Sequence, residues 1–552
     1  MVKDGKQFQA HRNVLSLASP FFEKLLSSDM KESNEGVIRL HTITESQMAG
    51  ILQFIYDGSV QITSENAEKL IETADFLLLS DLKTMVGKFL EQHMTTETCI
   101  SMNCLAERYS CEELFASTWK FINSNFATVT SSEEFLNLPS HEVEKWISSD
   151  EIVIDAEENV FEIILRWIDH NKDERCGTFS ELFSLVRLTC VSRDYLLNHV
   201  VTNDLVKKNA DCLDSVRDAL EWLDRPTDCD VPRPHPPRKA LMVDVIVIVD
   251  LVKIRQPCIY LPAKDKWYLL PPAECQPVSV DEGRNSTVSC GGKVFIITFD
   301  IAGSQCYDPD SNRWSSAPWR NELRFYRGTS LVVGNRICLL LEEETDSITL
   351  WTFSVDFDSL TPLRNWVEIT RFCAVAVDRY IYVIGGKKYR AALAECARFD
   401  TEQNEWKKLA PLNEARANAV GVCKNEKIFI AGGMVPPREV LQTCEVYNIS
   451  TDEWQFIASV TLRRTLKNMV LADETLYLVG GFTRTTDFNR VKSSDKIEHY
   501  NQDCDEWNVK ASVPVDKITT KEMKARPYYF QACSLRVFKE VLTNLESIAG
   551  SD

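Results

Sequence analysis

The sequence has no amino-terminal signal peptide, no apolar run long enough to span a membrane and no CxxC pair. Its 18 cysteines therefore predict free thiols in a reducing compartment. We expect a cytoplasmic location, with the nucleus and the cytoskeleton as alternatives. No Cys/His cluster indicates zinc, so we expect no metal and no cofactor. A net charge of -19 argues against nucleic acid or an anionic membrane as the main partner.

The C-terminal half contains a repeat with a period of about 47 residues, the length of a supersecondary unit. It is clearest where RFCAVAVDRYIYVIGG ends in Gly385-Gly386 and RANAVGVCKNEKIFIAGG ends in Gly432-Gly433. An aromatic residue precedes a tryptophan by seven positions in five repeats: Tyr260 and Trp267, Tyr307 and Trp314, Phe399 and Trp406, Tyr447 and Trp454, Tyr500 and Trp507.

The apolar runs within each repeat are short, alternating and rich in Val, Ile, Tyr and Phe, which predicts four strands per repeat and hence a propeller blade. We expect the glycine pair beside the central channel, where the backbone needs positive φ or close approach, and the tryptophan between blades. A segment from Tyr528 is expected to return to the first blade and close the ring. Six tryptophans predict six blades: Trp267, Trp314, Trp366, Trp406, Trp454 and Trp507.

This text resembles the kelch family, whose repeat carries the same glycine pair, aromatic residue and tryptophan. Thr298-Phe299 and Leu341-Glu342 stand where the second and third repeats should have the glycine pair, so the first three blades are degenerate. Gly480-Gly481 completes the series in the last repeat.

The amino-terminal text FQAHRNVL, SPFF, FIYDG and ADFLLLSDL resembles a BTB (POZ) domain, an α/β fold. In that family a helix and most of a strand normally come before this point and make much of the homodimer interface. The sequence as written lacks that segment. We interpret the sequence as an incomplete gene model, with a real short form as the alternative. As written, the chain is expected to be monomeric or only weakly dimeric.

Helical spacing continues from Thr96 to about Leu223 and resembles the all-α BACK domain, with Trp167 and the Leu/Val stripe expected in the core. A proline-rich stretch then predicts a stiff linker. The predicted domains are BTB 1–93, BACK 94–225, linker 226–240, propeller 241–540 and a C-terminal tail 541–552.

The order BTB, BACK, kelch resembles that of adaptors of cullin-RING ubiquitin ligases. The resemblance implies that BTB and BACK bind cullin-3 while the propeller binds a protein substrate for ubiquitination, without catalysis by this chain. An actin- or cytoskeleton-binding scaffold is the alternative. A copper oxidase is disfavoured because His499 is the single histidine of the predicted propeller, and copper needs converging ligands.

The family pattern places a hydrophobic-x-Glu motif after the SPFF helix, here Met30-Lys31-Glu32. The resemblance implies that Met30 enters an apolar pocket of the cullin, Glu32 bonds at its rim and Tyr56 lies on the adjoining surface. The alternative interpretation is an exposed loop with a methionine at a helix end.

An arginine recurs near each glycine-pair site. Arg284, Arg327 and Arg371 stand fourteen residues before its first position, whereas Arg416 and Arg464 stand sixteen before, which we interpret as a longer strand hairpin. Equivalent positions of a propeller form a ring, so these guanidinium groups are expected to bind an acidic or phosphorylated substrate peptide. The alternative is that each arginine is a structural residue paired with a nearby acid.

Overall fold

The structure, a computed structural model, describes residues 2–27, 37–224, 233–250, 256–273, 285–298, 304–317, 327–342, 348–354, 357–366, 369–436, 439–465, 468–484, 491–518 and 529–548. These residues divide into two compact units. The first comprises residues up to 224 together with 233–241, and the second begins at Met242.

The first unit is helical. Its α-helices are α1 (Arg12–Ala18), α2 (Pro20–Ser27), α3 (Glu45–Asp57), α4 (Ala67–Phe76), α5 (Ser80–Gln92), α6 (Cys99–Arg108), α7 (Glu112–Ser124), α8 (Phe126–Val129), α9 (Glu133–Leu136), α10 (Ser140–Ser148), α11 (Glu158–His170), α12 (Lys172–Arg175), α13 (Phe179–Phe183), α14 (Arg193–Tyr195), α15 (Asp204–Lys207) and α16 (Ala210–Asp224). A π-helical turn, Leu196–Val200, and 3-10 turns at Cys176–Thr178, Leu188–Cys190 and Lys239–Leu241 complete it. None of the described helices has both the length and the apolar character to cross a bilayer.

Helix α3 begins at a capping box in which the Thr44 and Gln47 side chains each accept a hydrogen bond from the other's backbone N–H. It ends at Gly58, whose φ of 70° suits glycine. Its buried Met48 and Ile51 join a hydrophobic core that also includes residues of α6 and α7. The helices of the first 92 residues therefore share one hydrophobic core with α6 and α7.

The expectation that Trp167 is a core residue is confirmed. Its side chain on α11 is 2% exposed, and its indole N–H donates to the carbonyl oxygen of Leu138 at 3.0 Å. The Arg175 guanidinium lies 4.1 Å from the ring centre. The buried face of α11 thus has the three-and-four spacing that the sequence predicts.

The predicted linker 226–240 is too long, because its second half belongs to the helical unit. Arg238 is fully buried there and forms an ion pair with Glu157 at 2.9 Å. Arg233 also reaches the helices, donating to the carbonyl oxygen of Thr189 at 2.5 Å. The prolines indicate an extended backbone, but the arginines between them fix that backbone to the BACK helices.

The second unit is built of strands. They are β1 (Met242–Asp250), β2 (Cys258–Leu261), β3 (Lys266–Leu269), β4 (Asn285–Cys290), β5 (Lys293–Thr298), β6 (Gln305–Asp308), β7 (Arg313–Ser316), β8 (Arg327–Val333), β9 (Arg336–Glu342), β10 (Ile348–Ser354), β11 (Phe357–Trp366), β12 (Cys373–Val377), β13 (Tyr380–Lys388), β14 (Ala391–Asp400), β15 (Glu405–Leu409), β16 (Val420–Lys424), β17 (Lys427–Ala431), β18 (Met434–Val435), β19 (Glu439–Val440), β20 (Cys444–Asn448), β21 (Glu453–Ile457), β22 (Asn468–Ala472), β23 (Thr475–Val479), β24 (Phe482–Arg484), β25 (Val491–Ser493), β26 (Lys496–Asn501), β27 (Glu506–Ser512), β28 (Phe530–Phe538) and β29 (Glu546–Ile548). One short helix, α17 (Val515–Ile518), and 3-10 turns at Pro262–Lys264 and Lys539–Asn544 lie among them.

These strands form antiparallel sheets, numbered here in chain order. Sheet I has the order β28-β1-β2-β3-β29, sheet II β4-β5-β6-β7, sheet III β8-β9-β10-β11, sheet IV β12-β13-β14-β15, sheet V β16-β17-β20-β21 and sheet VI β22-β23-β26-β27. The innermost strands β4, β8, β12, β16, β22 and β28 contact one another in a closed ring. The predicted propeller is therefore confirmed. The count of six blades stays a prediction, because five sheets have the four strands of a blade whereas sheet I has five.

The closing strand is confirmed. Strand β28 pairs with β1 along its whole length, from Met242 opposite Phe538 to Asp250 opposite Phe530. The predicted tail 541–552 is wrong in part, since Glu546–Ile548 forms β29 on the outer edge of sheet I. Leu542 and Leu545, which directly precede β29, are buried in the hydrophobic core of sheet I. Their burial stabilises the packing of this C-terminal segment against the sheet.

The glycine pairs have the geometry that the sequence predicts. Gly385 and Gly386 have φ of 59° and 116°, and a Cβ on Gly385 would lie 2.6 Å from the backbone oxygen of Arg416 in the next sheet. Only glycine combines this backbone conformation with so close an approach. Gly385 therefore marks a point where sheet IV touches the neighbouring repeat.

Candidate functional site

The five arginines predicted to form a ring do not share one environment. Arg284 lies outside the described residues, and Arg327 begins β8 with its backbone opposite Glu342. Arg371 is half-buried just before β12, whereas Arg416 and Arg464 are fully buried. The predicted ring therefore has to be judged position by position.

Arg416 is a structural residue of sheet V. Its Nη2 lies 2.7 Å from a carboxylate oxygen of Glu445, and both side chains are fully buried. Its Nη1 donates to the carbonyl oxygens of Gly432 and Thr443, each at 2.8 Å. The carboxylate of Glu414 approaches Nη2 at 3.3 Å. These acceptors favour the alternative, a structural arginine paired with an acid, and a substrate contact at Arg416 stays a prediction.

Arg464 occupies the corresponding place in sheet VI. Its Nη1 donates to Ser494 Oγ at 2.8 Å and to the carbonyl oxygen of Lys496 at 3.0 Å, while Nη2 lies 3.5 Å from Glu498. Both partners are fully buried, and burial lowers the pKa of Arg464. The ion pair and the burial favour the alternative, a structural arginine paired with an acid, and a substrate contact at Arg464 stays a prediction.

Arg371 is not equivalent to these two residues. The residue after each glycine pair forms an isolated bridge, Thr370 with Lys387, Ala417 with Met434 and Thr465 with Phe482. Arg416 and Arg464 directly precede their bridge residue, and the residue that does so in sheet IV is Ile369. Our explanation of the two offsets as longer hairpins is therefore wrong, because Arg371 stands two positions later.

The acidic partner changes together with the arginine. Glu445 pairs with Ile430 in sheet V, and Glu498 pairs with Leu478 in sheet VI. The corresponding pair in sheet IV is Val383 with Ala397. Ile369 and Ala397 are buried at 5% and 6% exposure. In sheet IV an apolar pair thus replaces the buried ion pair of sheets V and VI. The sequence contains this signal, because Ile369, Arg416 and Arg464 each stand sixteen residues before the first glycine of their pair.

The tyrosines seven residues before the tryptophans also have a structural role. Four of them donate their hydroxyl to an Asp or Asn five residues later: Tyr260 to Asp265 at 2.7 Å, Tyr307 to Asn312 at 2.9 Å, Tyr447 to Asp452 at 2.6 Å and Tyr500 to Asp505 at 2.7 Å. Burial and this bond raise the pKa of Tyr447. Sheet IV has Phe399 at this place, and in the described structure the buried Asn404 Oδ1 has no hydrogen-bond partner.

Phe399→Tyr is therefore expected to stabilise the propeller by about 1 kcal/mol, because it returns the missing donor to Asn404. Differential scanning calorimetry of the full chain will measure a higher transition temperature for the propeller. In an Asn404→Ala background the same change should give no gain. An equal gain there would show that packing, and not the hydrogen bond, is responsible.

The residues predicted to contact cullin-3 are only partly described. Met30 and Glu32 lie outside the described residues, so that prediction stays a prediction. Tyr56 is 44% exposed on α3. Its hydroxyl accepts a hydrogen bond from the His11 backbone N–H at 2.7 Å and lies 2.9 Å from His11 Nδ1. Tyr56 thus presents its ring to solvent while its hydroxyl anchors the start of α1.

Three buried cysteines of the propeller are poor nucleophiles. Burial raises the pKa of Cys373, Cys396 and Cys444 to about 12, so their thiols are protonated at neutral pH. None of the sixteen described cysteines forms a disulfide. Within the described residues, no group of three His, Cys, Asp or Glu side chains is placed to hold a metal ion.

Comparison with known proteins matches the domains in the order read from the sequence. Residues 1–94 match the BTB/POZ domain, 99–201 match BTB And C-terminal Kelch, and 369–413 and 415–461 match the Kelch motif. Kelch-like protein 24 of Rattus norvegicus is 26% identical over 87% of this chain and 80% of its own length. Kelch-like protein 25 of Xenopus tropicalis is 26% identical over 94% and 89%. Kelch-like protein 11 of Homo sapiens is 31% identical over 48% and 40%.

The first two of these relatives extend across both structural units, and the three matched domains agree with the helices, sheets and glycine pairs described above. The chain belongs to the BTB-BACK-kelch family of adaptor proteins.

Proposed function

We propose that this chain is the substrate adaptor of a cullin-3 RING ubiquitin ligase. The observation that carries the proposal is the combination, in one chain, of a BTB-BACK helical unit with a closed propeller. A closed ring of sheets holds its loops in fixed positions, which suits the presentation of a bound protein. An adaptor accelerates ubiquitin transfer by raising the effective concentration of its substrate near the ligase, so it needs no catalytic group of its own.

The cullin contact in this proposal consists of Met30, Glu32 and Tyr56. Support comes from the exposed Tyr56 ring, which the hydroxyl contact with His11 holds in place on the helical unit. An aromatic ring that is ordered before binding loses little conformational freedom in a complex. Tyr56 would therefore border the pocket-filling Met30 at low entropic cost.

Binding of the full chain to purified cullin-3, measured by calorimetry or biolayer interferometry, tests the proposal. The double change Met30→Ala with Glu32→Ala is expected to weaken the complex at least tenfold, since loss of an apolar anchor or a charged hydrogen bond costs about 1–3 kcal/mol. The matched control is Val153→Ala with Glu144→Ala, which removes one exposed apolar side chain from the connection between α10 and α11 and one exposed acidic side chain from α10.

Equal affinity of the parent and the Met30/Glu32 variant would overturn the assignment of these residues. No binding of cullin-3 by the parent chain would overturn the ligase role. Cosedimentation of that same preparation with filamentous actin would then support the cytoskeletal scaffold instead.

A further inference from the structure

One hairpin of the propeller collects positive charge. The end of β13 and the turn into β14 consist of Lys387, Lys388, Tyr389 and Arg390, which we call the basic hairpin. Tyr389 is 80% exposed and Arg390 is also exposed. Strand pairing holds this hairpin almost to its tip, since Lys387 lies opposite Ala392 and Lys388 opposite Ala391. The cations therefore stand on ordered backbone.

Arg371 belongs to the same surface. The Thr370 N–H donates to the carbonyl oxygen of Lys387 at 2.9 Å, and the Lys387 N–H donates to the carbonyl oxygen of Thr370 at 2.7 Å. These two bonds fix the backbone of Arg371 beside the base of the basic hairpin. The backbone oxygen of Arg371 in turn accepts from the N–H of Asn418 at 2.7 Å, which ties this arginine to the next sheet.

Two residues of this surface have a left-handed backbone that side chains disfavour. Tyr389 has φ of 54° and Arg371 has φ of 58°. Neither position carries the glycine that would relieve the conformation. A tyrosine at an exposed, strained turn suggests that its ring contacts a binding partner, since such strain is concentrated at functional positions. The Lys388 ammonium lies 5.9 Å from that ring, so charge and aromatic surface adjoin.

The charge of this surface contrasts with the rest of the protein. Four cations, Lys387, Lys388, Arg390 and Arg371, stand together in a chain of net charge -19, and the two carboxylates of β14, Glu395 and Asp400, lie further along the strand. The corresponding hairpin of the next repeat, β18–β19, has Glu439 and no cation among its described residues, although Arg438 lies between its two strands in the sequence. The hairpin of the last repeat, β24–β25, also includes Arg484 and Lys492 in its strands, so what distinguishes the basic hairpin is its position beside Arg371.

We propose that the basic hairpin and Arg371 bind an acidic segment of the protein substrate. This inference rests on the proposed function and moves the recognition site away from the buried Arg416 and Arg464. Lysine and arginine side chains bind carboxylates or phosphates through charge-assisted hydrogen bonds, and the Tyr389 ring packs against the apolar part of the segment. A protein segment fits better than nucleic acid, because one hairpin covers a few residues and the surrounding negative charge repels a long polyanion.

Fluorescence anisotropy of the full chain tests this with two labelled octapeptides, one of alternating Glu and Leu and one of alternating phosphoserine and Leu. Binding of either peptide at low salt is expected, together with weakening as salt rises. The double change Lys387→Glu with Arg390→Glu should weaken it about tenfold or more. The matched control is Lys407→Glu with Lys408→Glu, an equal charge change on exposed positions of β15 in the same sheet.

Preferential binding of the phosphoserine peptide would assign a phosphorylated segment, and preferential binding of the glutamate peptide an unmodified one. The inference is overturned if neither peptide binds, if the two double variants lose affinity equally, or if single-stranded RNA of twenty nucleotides binds the parent as tightly as the peptides do. Cullin-3 affinity measured on the same variants separates this failure from that of the ligase role, since the helical unit is unaltered.

Discussion

Replacing Arg416 with methionine is expected to destabilise the propeller by about 3–5 kcal/mol, because it leaves the buried Glu445 carboxylate without its cation. Both side chains are fully buried, and their oxygen-nitrogen distance is 2.7 Å. Glu445 would keep its bonds from the backbone N–H groups of Asn413 and Glu414, at 2.9 and 3.3 Å. Those bonds cannot compensate for a buried charge.

Urea unfolding of the full chain, followed by hydrogen exchange of peptides from sheet V, measures this loss in the propeller alone. Arg379→Met is the control, since Arg379 forms ion pairs with Asp400 and Glu402 but is 40% exposed. Exposed pairs contribute less than about 1 kcal/mol, so the control should change little. Equal effects of the two changes would contradict the structural role of Arg416.

The neighbouring sheet provides a stricter test. Arg416→Ile with Glu445→Ala copies the Ile369 and Ala397 of sheet IV and removes both charges at once. The double variant should recover at least half of the stability lost by Arg416→Met, because an apolar pair can replace a buried ion pair. Recovery stays incomplete, since Asn413 and Glu414 lose the acceptor of their N–H groups. A double variant less stable than the single one would show that the pair is not exchangeable.

This test also changes how a loss of substrate binding is interpreted. Charge reversal at Arg416 would place two carboxylates in one buried site and unfold sheet V. Lost capture by such a variant would therefore report unfolding and not recognition. Changes at Lys387 and Arg390 avoid this problem, because neither side chain takes part in an ion pair between described residues.

Features that depend on local sequence were predicted well. The glycine pairs, such as Gly385 and Gly386, have the positive φ that the sequence predicts, and the spacing of Tyr447 and Trp454 follows directly from their pairing across β20 and β21. Helices such as α11 were visible because burial imposes its period on the sequence. These signals lie within about ten residues of one another, so a single sequence contains them.

Features that depend on distant partners were predicted poorly. The role of Arg416 is set by Glu445, which lies in another strand, and counting back from the glycine pair mistook Arg371 for its equivalent. The strand Glu546–Ile548 is too short for a periodic signal and forms because β3 offers it a free edge. Proline content predicted the linker, but one buried arginine holds its second half on the helical unit.

That arginine is Arg238, and Arg238→Met is expected to destabilise the helical unit by about 3–5 kcal/mol. Its Nε and Nη2 bind the two carboxylate oxygens of Glu157 at 2.9 and 3.0 Å, and Nη1 donates to the carbonyl oxygens of Ile147 and Ser149. Methionine would leave Glu157 buried with a single backbone donor, the N–H of Arg187 at 3.1 Å.

Hydrogen exchange should become faster both in peptides covering α11 and in peptides covering residues 233–241, because the Arg238–Glu157 ion pair connects these two segments. Arg193→Met, which breaks an exposed pair with Asp224, should leave both unchanged. Faster exchange of residues 233–241 with α11 unaffected would mean that the arginine fastens the linker without supporting the BACK core.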